Sequence, residues 1–152
     1  MRFPKYQYSS EDQLLYYEFV SIGPKGKIRK IVEYSTTSVD NVYNLAFGDY
    51  DENIDGIDDK SITNNGDSQK VLTTVASTVY AFTGKYPNAW VHVTGSTTVR
   101  TRLYRMGITN NLTEIANDFH IYGLLNEKWE KFVIGEDYEA FLVTRKHKKI
   151  KT

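Results

Sequence analysis

The sequence predicts one α+β (or α/β) domain over residues 1–152, built on a mixed, mainly antiparallel sheet. The expected element order is β-β-β-α-β-α-α-β-β-β. Three observations predict it. Short runs of Leu, Val, Tyr and Phe, several alternating with polar residues, lie between turn residues, as in half-buried strands. Two central segments carry apolar residues at helical spacing. A chain of 152 residues that is 40% hydrophobic and 14% aromatic can build one sizeable core. No linker, internal repeat or low-complexity tract divides it.

Gln13 to Ile22 is rich in Leu, Tyr, Phe and Val and reads as a strand. Gly23-Pro24-Lys25-Gly26 is turn chemistry. Lys27 to Tyr34 follows as the second arm of a hairpin, and its alternation slips once, which predicts a bulge or an uneven face. Val42 to Gly48 is a third strand, with Leu45 and Phe47 opposite Asn44 and Ala46.

The connection from Asp49 to Asp67 is long for a compact domain, so it is either functional or mobile. Asn64, Asn65 and Asp67 are suitable caps for a helix from about Ser68 to Phe82, which Gly84 and Pro87 end. Ala89 to Gly95 is a short buried strand. The next helix carries Arg100, Arg102 and Arg105, with Val99, Leu103 and Met106 as its core stripe and Gly107 as its end. Asn111 with Glu114 resembles a capping box and predicts a short helix to about Asp118. His120 to Leu125 is a strand. Trp129 to Ile134 and Tyr138 to Arg145 are expected to form a closing hairpin around Gly135-Glu136-Asp137.

Composition narrows the function classes. Lys+Arg and Asp+Glu are equal at 19 each, so total charge gives no support to a nucleic-acid or membrane role. The absence of cysteine excludes disulfides, thiol nucleophiles and thiolate metal sites. No apolar run is long enough to span a bilayer, and Met1-Arg2-Phe3-Pro4-Lys5 leads into polar residues, so a cytoplasmic location and no membrane partner are expected. Charge is nevertheless segregated. Seven acids and one base lie between Asp49 and Asp67, and five bases and no acid lie between Thr144 and Thr152.

The leading candidate site is the strand–turn–helix segment around Gly95. A helix N-terminus offers free N–H groups and a positive dipole end to an anion. Gly95 lets a ligand approach, Ser96 and Thr97 add donors, and Arg100, Arg102 and Arg105 add charge. The expectation is a phosphate- or anion-binding module using Gly95, Ser96, Thr97, Arg100, Arg102 and Arg105. The partner would be a phosphate-bearing ligand or nucleic acid. The plain structural alternative is a Thr or Ser cap with arginines in surface ion pairs.

Other constellations are less complete. Asp51, Asn53, Asp55 and Gly56 match the first half of a calcium loop, but Ile62 stands where its bidentate Glu belongs. The element order is like that of ribonuclease-H-like folds. A metal-dependent phosphodiester hydrolase of that type would draw carboxylates from Glu18, Asp49 and Asp67, a set without an acid on the fourth strand. His92 and His120 are expected to face each other on neighbouring strands with Asp118 nearby, too few ligands for a metal. No catalytic residue, metal or cofactor is assigned. The twelve tyrosines and the pair Trp90 and Trp129 suit core and interface more than base stacking. A third class is therefore a protein–protein interaction module, for example one half of a bacterial regulatory pair, using the acidic loop or the tyrosine-rich strands.

Five segments carry a resemblance: Ser21-Ile22-Gly23-Pro24-Lys25-Gly26, Asn44-Leu45-Ala46-Phe47-Gly48-Asp49, Asn64-Asn65-Gly66-Asp67, Lys70-Val71-Leu72-Thr73-Thr74-Val75, and the run from Gly95 to Tyr104. With them the chain resembles a small bacterial domain-of-unknown-function family of about this length. The resemblance implies a single domain and carries over no activity and no catalytic residue.

Overall fold

The computed structural model describes residues 3–58 and 63–147. In chain order the elements are β1 (Ser9–Ser10), β2 (Tyr16–Gly23), β3 (Gly26–Thr36), β4 (Val42–Asp51), β5 (Gly56–Ile57), α1 (Ser68–Lys85), β6 (Trp90–Val93), α2 (Thr98–Asn110), α3 (Leu112–Asp118), β7 (Phe119–Leu125), β8 (Lys128–Lys131) and β9 (Ala140–Arg145). The strands form a sheet in the order β1-β2-β3-β4-β6-β9-β7-β8, with β5 attached to the end of β4. β4 and β6 run parallel, joined by the α1 crossover, and the other pairs among the described residues are antiparallel. The class is α+β with a mixed, mostly antiparallel sheet.

Local chemistry accounts for the hairpins. Gly23 pairs with Gly26 across Pro24-Lys25, and Gly26 takes the positive φ that closes so tight a turn. Asn126 and Glu127 both have positive φ and close β7 onto β8 in a two-residue turn. β2 begins at Tyr16 rather than Gln13. The Glu11 carboxylate accepts the N–H groups of Gln13, Leu15 and Tyr16 and holds that stretch in a turn.

All three helices pack on one face of the sheet. The Tyr34 ring from β3 stacks on Phe82 of α1 at 4.1 Å, and Tyr43 from β4 meets the same ring edge-on. Leu45, Val93, Phe119 and Val143 from the strands close with Val75, Tyr104, Ile108 and Ile115 from the helices around a small apolar cavity of about 70 Å³. Segments 21–26 and 64–67 meet at the start of α1. The Asn65 side chain accepts from the Lys25 N–H at 2.7 Å and donates to the Gly26 carbonyl at 2.9 Å. Asp67, at the cap position of α1, accepts from the Ser21 and Tyr6 hydroxyls instead of from the helix. These two segments therefore lock the first hairpin to the first helix.

Three sequence expectations are corrected. First, of the bulge or uneven face expected in β3, the structure has the uneven face and no bulge. It pairs without a break from Lys27 to Glu33, and the slip in alternation marks three consecutive buried residues. Lys30 and Val32 face the helices, and Lys30 pairs there with Asp49. Ile31 faces the other way beside Gly48, over which the chain's own Ile57 lies. Second, the closing hairpin is not 129–134 with 138–145. β8 folds back on β7, and β9 inserts between β6 and β7. β9 is buried on both faces, as a central strand requires, whereas β8 is exposed throughout and suits an edge.

Third, the inward stripe of α2 is Arg100, Thr101, Tyr104 and Gly107, one position off the expected one, and the helix continues past Gly107 to Asn110. Val99 and Met106 are 67% and 39% exposed. Gly107 faces α1 so closely that an added Cβ would stand 3.2 Å from the Leu72 Cβ, which fixes the rotation of the helix.

Candidate functional site

The first candidate, Gly95 to Arg105, is a self-contained helix start. Thr97 caps α2 by accepting the Arg100 N–H at 3.2 Å. The Thr101 hydroxyl donates to the Thr97 carbonyl and accepts the Gly95 N–H, both at 3.1 Å. The space beside Gly95 belongs to the protein itself. A Cβ there would lie 2.5 Å from the Arg100 Cβ and the Thr101 nitrogen. Tyr104 points into the core, and burial pushes its hydroxyl up to about 12.

The three arginines do not converge. Arg100 is only 6% exposed and reaches inward, donating to the Phe47 carbonyl at 2.7 Å, the Ser96 hydroxyl at 3.2 Å and the Asp58 carbonyl at 3.3 Å. β6 ends at Val93, so β4 beyond Leu45 has lost its parallel neighbour there, and the guanidinium takes up that edge. Segments 44–49 and 95–104 thus meet through Arg100, as segments 21–26 and 64–67 meet through Asn65. Arg102 is exposed, and Arg105 is paired with Asp137 at 3.0 Å. Ser96, Thr97 and Thr98 remain at the surface beside a cleft of about 360 Å³ that Asp137 and Glu139 share.

The carboxylates are dispersed as well. Glu18 pairs with Arg29 on the helix-free side of the sheet, while Asp49 faces the helices, salt-bridged to Lys30. Lys30 is fully buried and also donates to the Thr63 carbonyl, whose own N–H donates to Asp49. In the half calcium loop, Asp51 accepts the Asn53 N–H and Asp55 accepts the Tyr50 hydroxyl, the pattern of a tight polar turn. Ile62 lies outside the described residues, as do Asp59, Lys60 and the tail bases Lys148, Lys149 and Lys151. Among the described residues no three His, Asp or Glu side chains cluster as metal ligands.

His92 and His120 are not on neighbouring strands. β9 lies between β6 and β7, and Asp118 accepts the Tyr80 hydroxyl instead. Both histidines face the side of the sheet that no helix covers, and strand register makes that side an ordered surface. Ser35, Asn44, His92, Leu142, Tyr122 and Lys131 form one row across β3, β4, β6, β9, β7 and β8. Trp90 and His120 stand in the row on one side, and Trp129 in the row on the other.

Side chains reach across this surface. The Trp90 and Tyr122 rings are 6.0 Å apart over β9. The His92 and Trp129 rings are also 6.0 Å apart. Their strands would be roughly 14 Å apart on a flat sheet, so the two side chains lean together over β9 and β7. The His92 Nδ1 lies 3.4 Å from the Asn44 side-chain oxygen, and burial lowers the pKa of the imidazole, favouring its neutral form. Trp129 is 43% exposed. Among the described residues no carboxylate stands on this face over β6, β9, β7 and β8. Between α3 and β7 a cleft of about 320 Å³ is lined by Leu112, Ala116, His120, Tyr122 and Lys131 among others, and there the Lys146 ammonium donates to the Ala116 carbonyl at 2.7 Å.

Sequence reasoning named Trp90, Trp129, His92 and His120 but did not join them. Period-two alternation puts Trp90 beside His92 and His120 beside Tyr122. What it lacks is the strand order that brings β6 and β7 to either side of β9.

No described helix is long and apolar enough to cross a membrane. No curated protein and no solved structure matches the chain. A family model matches residues 2–146, nearly the whole length, so the five resembling segments belong to one framework rather than to separate motifs. The chain belongs to DUF6934, a family of unknown function.

Proposed function

We propose that this protein is a binding module rather than an enzyme, and that it recognises its partner through the helix-free face over β6, β9, β7 and β8. One observation carries the reading. The aromatic pairs Trp90–Tyr122 and His92–Trp129 lie on a sheet face that no helix packs against. A domain with three helices to spare for the other face has left Trp129 at the surface. Trp and Tyr are enriched among recognition anchors, and here they stand on one face, Trp129 exposed and Trp90 and Tyr122 half-buried.

The test uses a property of the composition. Trp90 and Trp129 are the only tryptophans in the chain, and both are on this face. Protein labelled with 5-fluorotryptophan therefore gives two ¹⁹F resonances that report on the face alone. Titration with nucleic-acid, protein and small-molecule fractions of a bacterial extract is expected to move both resonances with one fraction. A fraction that binds and moves neither would refute the reading.

A second reading places a small anion at the start of α2. It is favoured by the open cleft beside Ser96, Thr97 and Thr98, at a helix N-terminus with no acid in its first turn. Arg102 would supply charge from the surface, since Arg105 is paired with Asp137. The test is melting temperature with and without millimolar phosphate. Ligand at 100 times its Kd stabilises by about 2.7 kcal/mol, several degrees for a domain of this size. No shift, or a shift retained when Ser96 and Arg102 are both replaced by alanine, rejects the site.

A further inference from the structure

We propose that the partner of the helix-free face is a single-stranded nucleic acid; this rests on that face being the recognition surface. The chemistry of the surface selects it. Trp90, Tyr122, Trp129 and His92 offer planar rings on adjacent rows of one sheet face. Unpaired bases stack on such rings without regard to sequence. A duplex hides its base faces, so the rings select single strands.

The charge pattern points the same way. The chain as a whole is neutral, with 19 bases and 19 acids, yet among the described residues no acid stands on this half of the face. Glu18 and Glu33 lie on β2 and β3, at the other half of the sheet. Asp49, Asp51 and Asp55 lie in and beyond the far end of β4. The aromatic half instead carries Lys131 on β8, with His120 in the neighbouring row. Rings for bases beside a lysine for phosphate, with no carboxylate between them among the described residues, suit a flexible polyanion.

The experiment is fluorescence anisotropy of dye-labelled oligothymidylate and oligouridylate of about 12 nucleotides, at low and moderate salt. The ¹⁹F spectrum of the fluorotryptophan protein is recorded in parallel. The expected result is binding that moves both resonances and weakens roughly 5- to 150-fold in Trp129→Ala, with partial recovery in Trp129→Phe. Lys131→Ala should flatten the dependence of log K on log salt by about 0.7. Arg102→Ala should leave both unchanged. Stronger binding of the uridylate or of the thymidylate distinguishes RNA from DNA. Absence of oligonucleotide binding at low salt overturns the proposal, as does binding indifferent to Trp129→Ala and Lys131→Ala. If a protein fraction moves both resonances instead, the nucleic-acid inference falls and the face remains the recognition surface. If oligonucleotides bind and neither resonance moves, both fall.

Discussion

Replacing Arg100 with methionine should destabilise the protein by about 3 kcal/mol. The side chain is buried, and the hydrogen bonds that disappear with the guanidinium include those to the Phe47 carbonyl at 2.7 Å, the Ser96 hydroxyl at 3.2 Å and the Asp58 carbonyl at 3.3 Å. A hydrogen bond to a charged group is worth about 1.5–3 kcal/mol, and a buried carbonyl left without a donor costs about 1–3 kcal/mol. The two longer bonds are weaker and nearer solvent, and methionine keeps part of the packing, so the total stays near 3 rather than near 9 kcal/mol. At about 2–4 °C per kcal/mol for a chain of this length, the melting temperature falls by roughly 6–12 °C. Urea unfolding followed by circular dichroism gives the free energy, and calorimetry gives the midpoint. The comparison is Arg102→Met two positions along the same helix, where the exposed side chain should change stability by less than about 0.5 kcal/mol. Equal, small effects of the two substitutions would refute Arg100 as the strut that closes the edge of β4 and would return it to the pool of ligand groups.

Further predictions follow from the same geometry. Lys30→Met alone leaves Asp49 largely buried without its cation and should cost about 3–5 kcal/mol, while Lys30→Met with Asp49→Leu should cost less than the two single changes added; additive effects in a double-mutant cycle would remove the ion pair from the account. Gly95→Ala should destabilise by about 1–3 kcal/mol, because the new methyl meets the first turn of α2. A neutral outcome in thermal melts would mean that the glycine leaves room for a ligand. His92 has a folded-state pKa below its unfolded value, so the unfolded chain binds the extra proton. The His92 contribution to stability is therefore complete above about pH 6.5 and is lost as pH falls through the folded pKa. Stability measured across that window should flatten in His92→Gln, and an unchanged slope would contradict the burial of the imidazole.

Much of the fold is legible in the residues. The Gly23–Gly26 turn, the strand through Leu45 and Phe47, the helix from Ser68 and the short helix after Asn111 follow from turn chemistry, alternation, spacing and capping, each decided within a few residues. The features that differ from the sequence expectation depend on distant partners. Val99 and Met106 have the spacing of a core stripe, but the rotation of α2 is set by Arg100 reaching β4 and by Gly107 meeting Leu72. The run through Trp129 is apolar enough for a central strand, but the exposed Lys128–Lys131 stretch takes the edge and the doubly buried β9 takes the centre. The same holds for the candidate site. Arg100, Arg102 and Arg105 are close in sequence and point to different surroundings. Asn44, His92, Tyr122 and Lys131 are far apart in sequence and stand in one row only once the strand order β4-β6-β9-β7-β8 exists. A sequence read along its length detects the first kind of neighbour and not the second.

The most direct test of the account is the two-line ¹⁹F spectrum of the fluorotryptophan protein during titration with single-stranded oligonucleotide. Trp90 and Trp129 sit on β6 and β8, at the two borders of the proposed surface. The account predicts that both lines move together and saturate with the same Kd that anisotropy reports, and that the movement is lost in Lys131→Glu. Saturable binding with both lines stationary would contradict it and would send the search to the start of α2.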